Sequence, residues 1–184
     1  MENENADNAA EIMNMPKEEL AGKALLSKEY TIACAESCTG GLLTSRLTDI
    51  AGSSAYGMGS IVSYDNTVKM NQVGVLPRTL EVKGAVSPET AAEMAAGVRK
   101  KLKTNIGVGI TGIAGPGGGT AAKPVGLVYI AVAGPRGTMV KRNQFTTSQT
   151  GNAGRKDIKW QTSEKALEML LDYLQFESKE LIID

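Results

Sequence analysis

The sequence of 184 residues contains no histidine, and this absence excludes several kinds of active site. A Ser-His-Asp or Cys-His mechanism within one chain uses an imidazole as its base. Any general base must therefore be a carboxylate, a lysine, a tyrosine or a terminal amine. Cys34 and Cys38 are the only cysteines, and their spacing fits neither a zinc site nor a CxxC redox motif. We expect two reduced thiols, no metal and no cofactor.

The sequence also lacks a net charge and a long apolar run. Twenty lysines and arginines balance twenty acidic residues, so the basic surplus typical of nucleic-acid-binding domains is missing. No apolar run approaches the roughly 18 residues of a membrane span. The acidic, polar first twenty residues do not resemble a secretory signal. We therefore expect a cytoplasmic protein whose partner is a small molecule, with no nucleic acid and no membrane.

Short apolar segments alternate with helical patterns along most of the chain. Strands are predicted at residues 30–35, 59–65 and 105–111, and two later strands are joined at "PRGT" in a hairpin. This alternation predicts an α/β fold, a single-domain three-layer α/β/α sandwich, in which the hairpin makes the sheet mixed. We expect residues 1–10 to form a disordered tail and residues 11–178 to form the domain.

Two helices carry specific predictions. Asn66 is the expected N-cap of a short helix that follows the second strand. The last helix is expected to bury one apolar face. That face consists of Ile158, Ala166, Leu170, Leu171 and Leu174.

Glycine-rich loops follow two of the predicted strands: "ESCTGG" after the first and "TGIAGPGGG" after the third. In α/β sheets, ligands bind outside the carboxyl ends of strands, and the amides at helix N-termini attract anions. Neither loop matches a Walker A motif or a full GxGxxG fingerprint. On spacing alone, a phosphate site and two plain turns remain equal alternatives.

A serine activated by a lysine is the nucleophile that a chain without histidine permits. Lys69 is a candidate base because it lies shortly after a predicted strand, near Tyr64. Candidate nucleophiles are Ser37, Ser53 and Ser54. The alternative is that Lys69 is an ordinary solvated lysine, and spacing does not distinguish it from the other lysines.

Four motifs together carry a family resemblance: "AESCTGG", "AGSSAYGMGSIVSYDNTVK", "GAVSPETAAEMAAG" and "GITGIAGPGGGTAAKPVG". They resemble the CinA C-terminal domain family, whose bacterial members include nicotinamide-nucleotide amidohydrolases (PncC). The resemblance covers about residues 15–175. It implies an α/β/α fold, a homodimer, and hydrolysis of the carboxamide of nicotinamide mononucleotide to nicotinic acid mononucleotide and ammonia.

The resemblance also implies a set of site residues. The expected catalytic residues are Ser54, Lys69, Ser37 and Tyr64, and the expected substrate-binding residues are Thr111, Gly112, Gly40, Gly41 and Arg155. In this scheme neutral Lys69 takes a proton from Ser54, the favoured nucleophile. Ser37 relays the proton or binds substrate, or is itself the nucleophile. Glu36 is expected to have a structural role at the strand-to-helix turn.

Three positions depart from the family pattern. Gly117 replaces the acid of the usual "GPDGG" loop, Gly154 stands where a "GDR" signature has its acid, and Lys159 replaces a second arginine. These departures concern the expected phosphate and ribose side more than the Ser/Lys chemistry. The alternative function is a non-catalytic nucleotide-binding module, or a regulatory module related to competence or DNA damage, which would not need Lys69.

Overall fold

The computed structural model describes residues 15–175, so the tail expected at residues 1–10 lies outside the described residues. The helices are α1 (Lys17–Ser27), α2 (Leu42–Thr48), α3 (Asn66–Val73), α4 (Pro77–Val82), α5 (Pro88–Leu102) and α6 (Gly151–Gln175). The strands are β1 (Ile32–Glu36), β2 (Gly57–Val62), β3 (Ile106–Gly112), β4 (Leu127–Gly134) and β5 (Gly137–Gln144). A short 3-10 turn, Ser53–Ala55, precedes β2. Within residues 15–175, no helix is long and apolar enough to cross a membrane.

The five strands form one mixed sheet in the order β2-β1-β3-β4-β5. β1 pairs in parallel with both β2 and β3, whereas β4 is antiparallel to β3 and to β5. The predicted mixed sheet and late hairpin are therefore confirmed. The carboxyl ends of the three parallel strands lie side by side, and the loops that follow them meet there.

Helices cover both faces of the sheet and make the predicted three layers. One face packs against α1, α2 and α6, and the other packs against α3 and α5. The five residues predicted for the apolar face of the last helix are all buried. The predicted three-layer fold and the predicted helix face are both confirmed.

Two glycines in β3 let α5 pack directly against the strand backbone. A Cβ atom on Gly107 would lie 2.1 Å from the Ala95 carbonyl oxygen, and one on Gly109 would lie 2.3 Å from the Ala91 carbonyl oxygen. Side chains at these positions would push the helix away from the sheet. The close packing fixes the position of the end of β3, where the candidate site begins.

The predicted cap of α3 is wrong by one residue. Asp65, not Asn66, is the N-cap, and its carboxylate accepts a 2.7 Å hydrogen bond from the Thr67 amide. Asp65 has extended backbone dihedral angles, whereas Asn66 is already the first helical residue. A capping side chain must stand outside the helix to reach the amides of its first turn.

Candidate active site

An open cavity of about 260 Å³ lies at the carboxyl ends of β1, β2 and β3. Its lining includes Ser37, directly after β1, and Tyr64 and Lys69, which follow β2. The remaining lining residues come from three loops, from the end of β3 and from α6: Cys38, Ala85, Val86, Thr111, Gly112, Ile113, Ala114, Gly115, Gly117, Gly118 and Arg155. The lining contains two basic side chains and no carboxylate, which favours an anionic or neutral ligand.

The Lys69 amine contacts Ser37 inside this cavity. Its Nζ atom lies 3.1 Å from Ser37 Oγ, 2.7 Å from the Ser63 carbonyl oxygen and 3.0 Å from the Tyr64 carbonyl oxygen. A neutral amine has two N–H bonds and one lone pair. Donation to the two carbonyls leaves that lone pair to accept the Ser37 hydroxyl proton. The contacts therefore suit a serine with a lysine as its base.

Burial favours the neutral form of this amine. Lys69 is 1% exposed, and burial lowers the pKa of its amine, whereas negative charge on Cys38 or Asp65 acts against this shift. Burial raises the pKa of the Cys38 thiol to about 12, so the thiol is uncharged near neutral pH. Asp65 is then the charge that still favours the ammonium form. No described carboxylate forms an ion pair with Lys69.

The two thiols do not form a reactive pair. Cys34 and Cys38 are both buried and free, as expected from the sequence. Burial raises the pKa of the Cys34 thiol as well, so neither cysteine supplies a thiolate near neutral pH. Across residues 15–175, no group of three or more potential metal-ligating side chains is placed to hold a metal ion.

Glu36 occupies the helix N-terminus after the first glycine-rich loop, where the sequence left a phosphate site and a plain turn as equal alternatives. Its buried carboxylate accepts hydrogen bonds from the amides of Gly41, Leu43 and Thr44, at 3.0, 3.2 and 2.9 Å, and from the Thr44 hydroxyl at 2.7 Å. This arrangement agrees with the structural role expected for Glu36. A carboxylate of the chain itself therefore satisfies the donors at this end of α2.

The predicted substrate-binding role of Gly40 and Gly41 finds no support in this geometry. Neither glycine lines the cavity, and the Gly41 amide is bonded to Glu36. Both glycines instead have left-handed backbone angles, with φ of 64° and 97°. Their role is to turn the chain from β1 into α2.

The second glycine-rich loop does line the cavity. Gly112 is at its start, and the Thr111 hydroxyl donates a 2.6 Å hydrogen bond to the Ala85 carbonyl. Further along the loop, four amides make no hydrogen bond to another described group. They belong to Ala114, Gly115, Gly117 and Gly118. Unpaired amides that line a cavity provide donors for a ligand.

Arg155, on the second turn of α6, reaches across the mouth of the cavity. Its guanidinium donates to the Gly115 carbonyl at 2.6 Å and to the Tyr64 hydroxyl at 2.7 Å. The Tyr64 side chain is mostly exposed, and the backbone and the side chain of this residue make separate contacts. Its carbonyl accepts a hydrogen bond from Lys69, and its phenol contacts Arg155.

Ser54 is the one predicted catalytic residue that the fold separates from the others. It lies in the 3-10 turn before β2, is exposed, and does not line the cavity. Lys69 and Tyr64 follow the same strand. Since β2 has six residues, the two ends of the strand are about 20 Å apart. The fold brings together Ser37, Lys69 and Tyr64 at the carboxyl ends of the parallel strands, and it leaves Ser54 at the amino end of β2.

The sequence model of the CinA C-terminal domain family matches residues 14–174. This match covers most of the chain and includes every strand and every residue that lines the cavity. The chain belongs to the CinA C-terminal domain family. The resemblance inferred from the four sequence motifs is thereby confirmed.

Curated CinA relatives are longer than this chain. A relative from Halothermothrix orenii, named a competence-damage inducible protein, is 51% identical over 158 residues, which are 86% of this chain and 37% of that protein. A CinA-like protein from Cyanothece sp. is 60% identical over 116 residues, which are 63% of this chain and 28% of that protein. The chain thus spans about a third of the length of these relatives.

Solved CinA structures have the same fold and nearly the same extent. The competence/damage inducible protein CihA from Agrobacterium tumefaciens has 39% identity and a TM-score of 0.76, with 86% of this chain and 96% of that chain covered. A CinA superfamily protein from Klebsiella pneumoniae has 28% identity and a TM-score of 0.80, with 88% and 99% covered. The α/β fold with its mixed sheet is therefore that of the CinA superfamily.

Proposed function

We propose that this CinA domain hydrolyses the carboxamide of nicotinamide mononucleotide to nicotinic acid mononucleotide and ammonia. The observation that carries the proposal is the 3.1 Å contact between Lys69 Nζ and Ser37 Oγ in a cavity at the carboxyl ends of the parallel strands. The substrate class is the one that the sequence resemblance implies, and this contact supports the Ser/Lys chemistry. The product acid would enter pyridine nucleotide salvage.

Ser37 is the nucleophile in this proposal, in place of Ser54, which the scheme drawn from the sequence favours. Lys69 Nζ takes the Ser37 proton while Ser37 Oγ attacks the carboxamide carbon, which the cationic pyridinium ring makes more electrophilic. The amide of Cys38, which lines the cavity, follows the nucleophile directly and makes no hydrogen bond to another backbone group among residues 15–175. It is the candidate donor to the oxyanion of the tetrahedral intermediate.

Collapse of the tetrahedral intermediate breaks the C–N bond. Lys69 gives its proton to the departing nitrogen. Ammonia is released, and the acyl group remains bound to Ser37 Oγ as an ester. A water molecule then attacks the ester carbon while Lys69 takes a proton from it, and that proton returns to Ser37 when the acid is released. Throughout these steps the carbonyls of Ser63 and Tyr64 hold the amine in place.

The phosphate of the substrate would bind at the mouth of the cavity. Arg155 offers a guanidinium there, and Gly117 and Gly118, whose amides are unpaired, line the same cavity. Guanidinium groups and adjacent backbone amides are common phosphate ligands. The acid missing at position 117 leaves open space, because a Cβ on Gly117 would meet nothing within 4 Å.

Gly154, the second departure from the family pattern, is fitted to its surroundings. A Cβ atom at this position would lie 2.6 Å from the Gln149 carbonyl oxygen. The segment before α6 therefore packs directly on Gly154 and occupies the space that an acidic side chain would need. Arg155 nevertheless reaches the cavity, so we propose that this departure leaves the phosphate site usable.

A pH profile would test the proposed state of Lys69. The reaction needs the free amine, so kcat/KM should fall as the pH drops below the pKa of Lys69. The Asp65 carboxylate raises that pKa. Asp65→Asn keeps a good N-cap but removes the charge, so the acidic limb of the profile should move to lower pH. A shift to higher pH would contradict Lys69 as the base.

Ammonia release from nicotinamide mononucleotide by the purified protein tests the function itself. We expect stoichiometric ammonia and nicotinic acid mononucleotide, without added cofactor. A folded protein that binds the nucleotide but releases no ammonia would favour the non-catalytic module. A salt-sensitive shift of DNA in a gel would favour the competence-related alternative suggested by the names of relatives. We also propose a homodimer and a cytoplasmic location, and sedimentation velocity would measure the oligomeric state.

A further inference from the structure

The loop between β3 and β4 forms one wall of the cavity and is fixed at its base by backbone hydrogen bonds. The Ile113 amide donates to the Leu127 carbonyl at 2.9 Å, and the Gly126 amide donates to the Ile113 carbonyl at 2.7 Å. At the far end of the loop, the Thr120 amide donates to the Lys123 carbonyl at 2.8 Å and closes a turn. Gly115, Gly117 and Gly118, which line the cavity, lie between this base and this turn.

The Lys123 side chain ties this turn to a second wall of the cavity. Lys123 Nζ donates to the Lys83 carbonyl and to the Val86 carbonyl, both at 2.8 Å. Val86 and its neighbour Ala85 line the cavity, as do residues of the loop that carries Lys123. Its ammonium therefore joins two segments that are far apart in sequence, with no carboxylate hydrogen-bonded to it in the described chain.

The segment held by Lys123 is also held by the site itself. The Ala85 carbonyl accepts the Thr111 hydroxyl at 2.6 Å. The wall formed by Ala85 and Val86 therefore has two attachments, one to the end of β3 and one to Lys123. Loss of the second would leave this wall and the glycine-rich loop free to separate, and the cavity would widen.

We propose that Lys123 is a positioning residue, whose ammonium holds the two walls of the cavity at the spacing that the nucleotide requires. The proposal rests on the proposed function for its substrate. Lys83 shows what an ordinary lysine of this region does. Its Nζ pairs at 3.0 Å with Glu89, and both side chains are about half exposed. Lys123 differs because it bonds main-chain carbonyls, which have fixed positions in the fold.

Steady-state kinetics of three variants would test this role. Lys123→Met removes the donors and keeps a chain of similar length. We expect KM for nicotinamide mononucleotide to rise roughly tenfold or more while kcat stays within about threefold, because binding geometry is lost and the Ser37–Lys69 pair is untouched. Lys123→Arg retains donors and should recover most of the loss. Lys83→Met, the matched control, should behave as the parent.

Hydrogen–deuterium exchange of the free protein gives a second result that does not depend on turnover. Lys123→Met should speed exchange in peptides covering residues 83–91 and 113–126, and Lys83→Met should not. Parental KM together with parental exchange in Lys123→Met would overturn the proposal. Equal losses of kcat and thermal stability, with KM unchanged, would also overturn it by showing a purely structural role. If the parent releases no ammonia, the deamidase proposal fails, and the exchange comparison alone decides whether Lys123 holds the walls.

Discussion

Replacing Lys69 with methionine is expected to lower kcat for nicotinamide mononucleotide by about a thousandfold or more. The reason is that, among residues 15–175, the Lys69 amine is the only base hydrogen-bonded to Ser37, and loss of a general base and of nucleophile activation costs factors of this size. Methionine also leaves the carbonyls of Ser63 and Tyr64 without donors, at a cost of about 1–3 kcal/mol of stability. Thermal unfolding should therefore be measured alongside turnover.

Lys69→Arg keeps a positive charge and hydrogen-bond donors at this position but removes the amine that can act as a base. Arginine can still donate to the two carbonyls, but it stays protonated at all working pH values. It should therefore be as inactive as methionine while remaining better folded. The matched control is Lys101→Met, because Lys101 is an exposed lysine that bonds the Gln72 side chain and does not line the cavity. A Lys69→Arg variant within tenfold of the parental kcat would show that the reaction uses a cation here and not a base.

Glu36→Gln is expected to lower the free energy of unfolding by about 2–4 kcal/mol. The buried carboxylate accepts four hydrogen bonds at the start of α2. A glutamine side chain has only one acceptor oxygen, and its NH₂ group would face N–H donors, so buried amides would lose their partners. Urea unfolding monitored by circular dichroism would measure the change.

Glu93→Gln provides the matched control for this variant. The Glu93 carboxylate also caps a helix, since it accepts from the Leu76 amide at 2.9 Å and from the Thr79 hydroxyl at 2.6 Å. This site is open to solvent, where water can replace a lost partner, so the change should cost less than about 1 kcal/mol. Equal losses in the two variants would contradict the structural role of Glu36.

Much of the fold follows from simple patterns in the sequence. β1 is buried along its whole length because it has a strand on each side and helices on both faces, and "IACAE" has the uniformly small or apolar character that such a position allows, with one acid at its end. The hairpin between β4 and β5 follows from two strand-like segments separated by a glycine-containing turn. The ends of β1, β2 and β3 differ from prediction by one to three residues, because pairing rather than propensity decides where a strand stops.

Chain direction explains why Ser54 does not join the site. Ser37 and Lys69 both follow a parallel strand, so they lie at the carboxyl end of the strands although 32 positions separate them. Ser54 precedes a parallel strand and must lie at the amino end. Sequence motifs record which residues a family has in common, and they do not record at which end of the strands each residue lies.

Other parts of the site carry no sequence signal. The carbonyls of Ser63 and Tyr64 hold Lys69, and any residue type provides a carbonyl. The contact of Lys123 with the loop at residues 83–86 depends on how two loops fold toward each other. Glu36 is different, since an acid just before a strand-to-helix turn is a recognisable pattern and its structural role was expected.

Ammonia release from nicotinamide mononucleotide by Ser37→Ala and Ser54→Ala, measured beside the parent, tests the central claim most directly. Ser37 Oγ contacts the buried Lys69 amine, and Ser54 is exposed at the amino end of β2. We expect Ser37→Ala to lose about three orders of magnitude in kcat and Ser54→Ala to stay within about threefold of the parent. Near-parental release by Ser37→Ala, with Ser54→Ala inactive, would contradict the account.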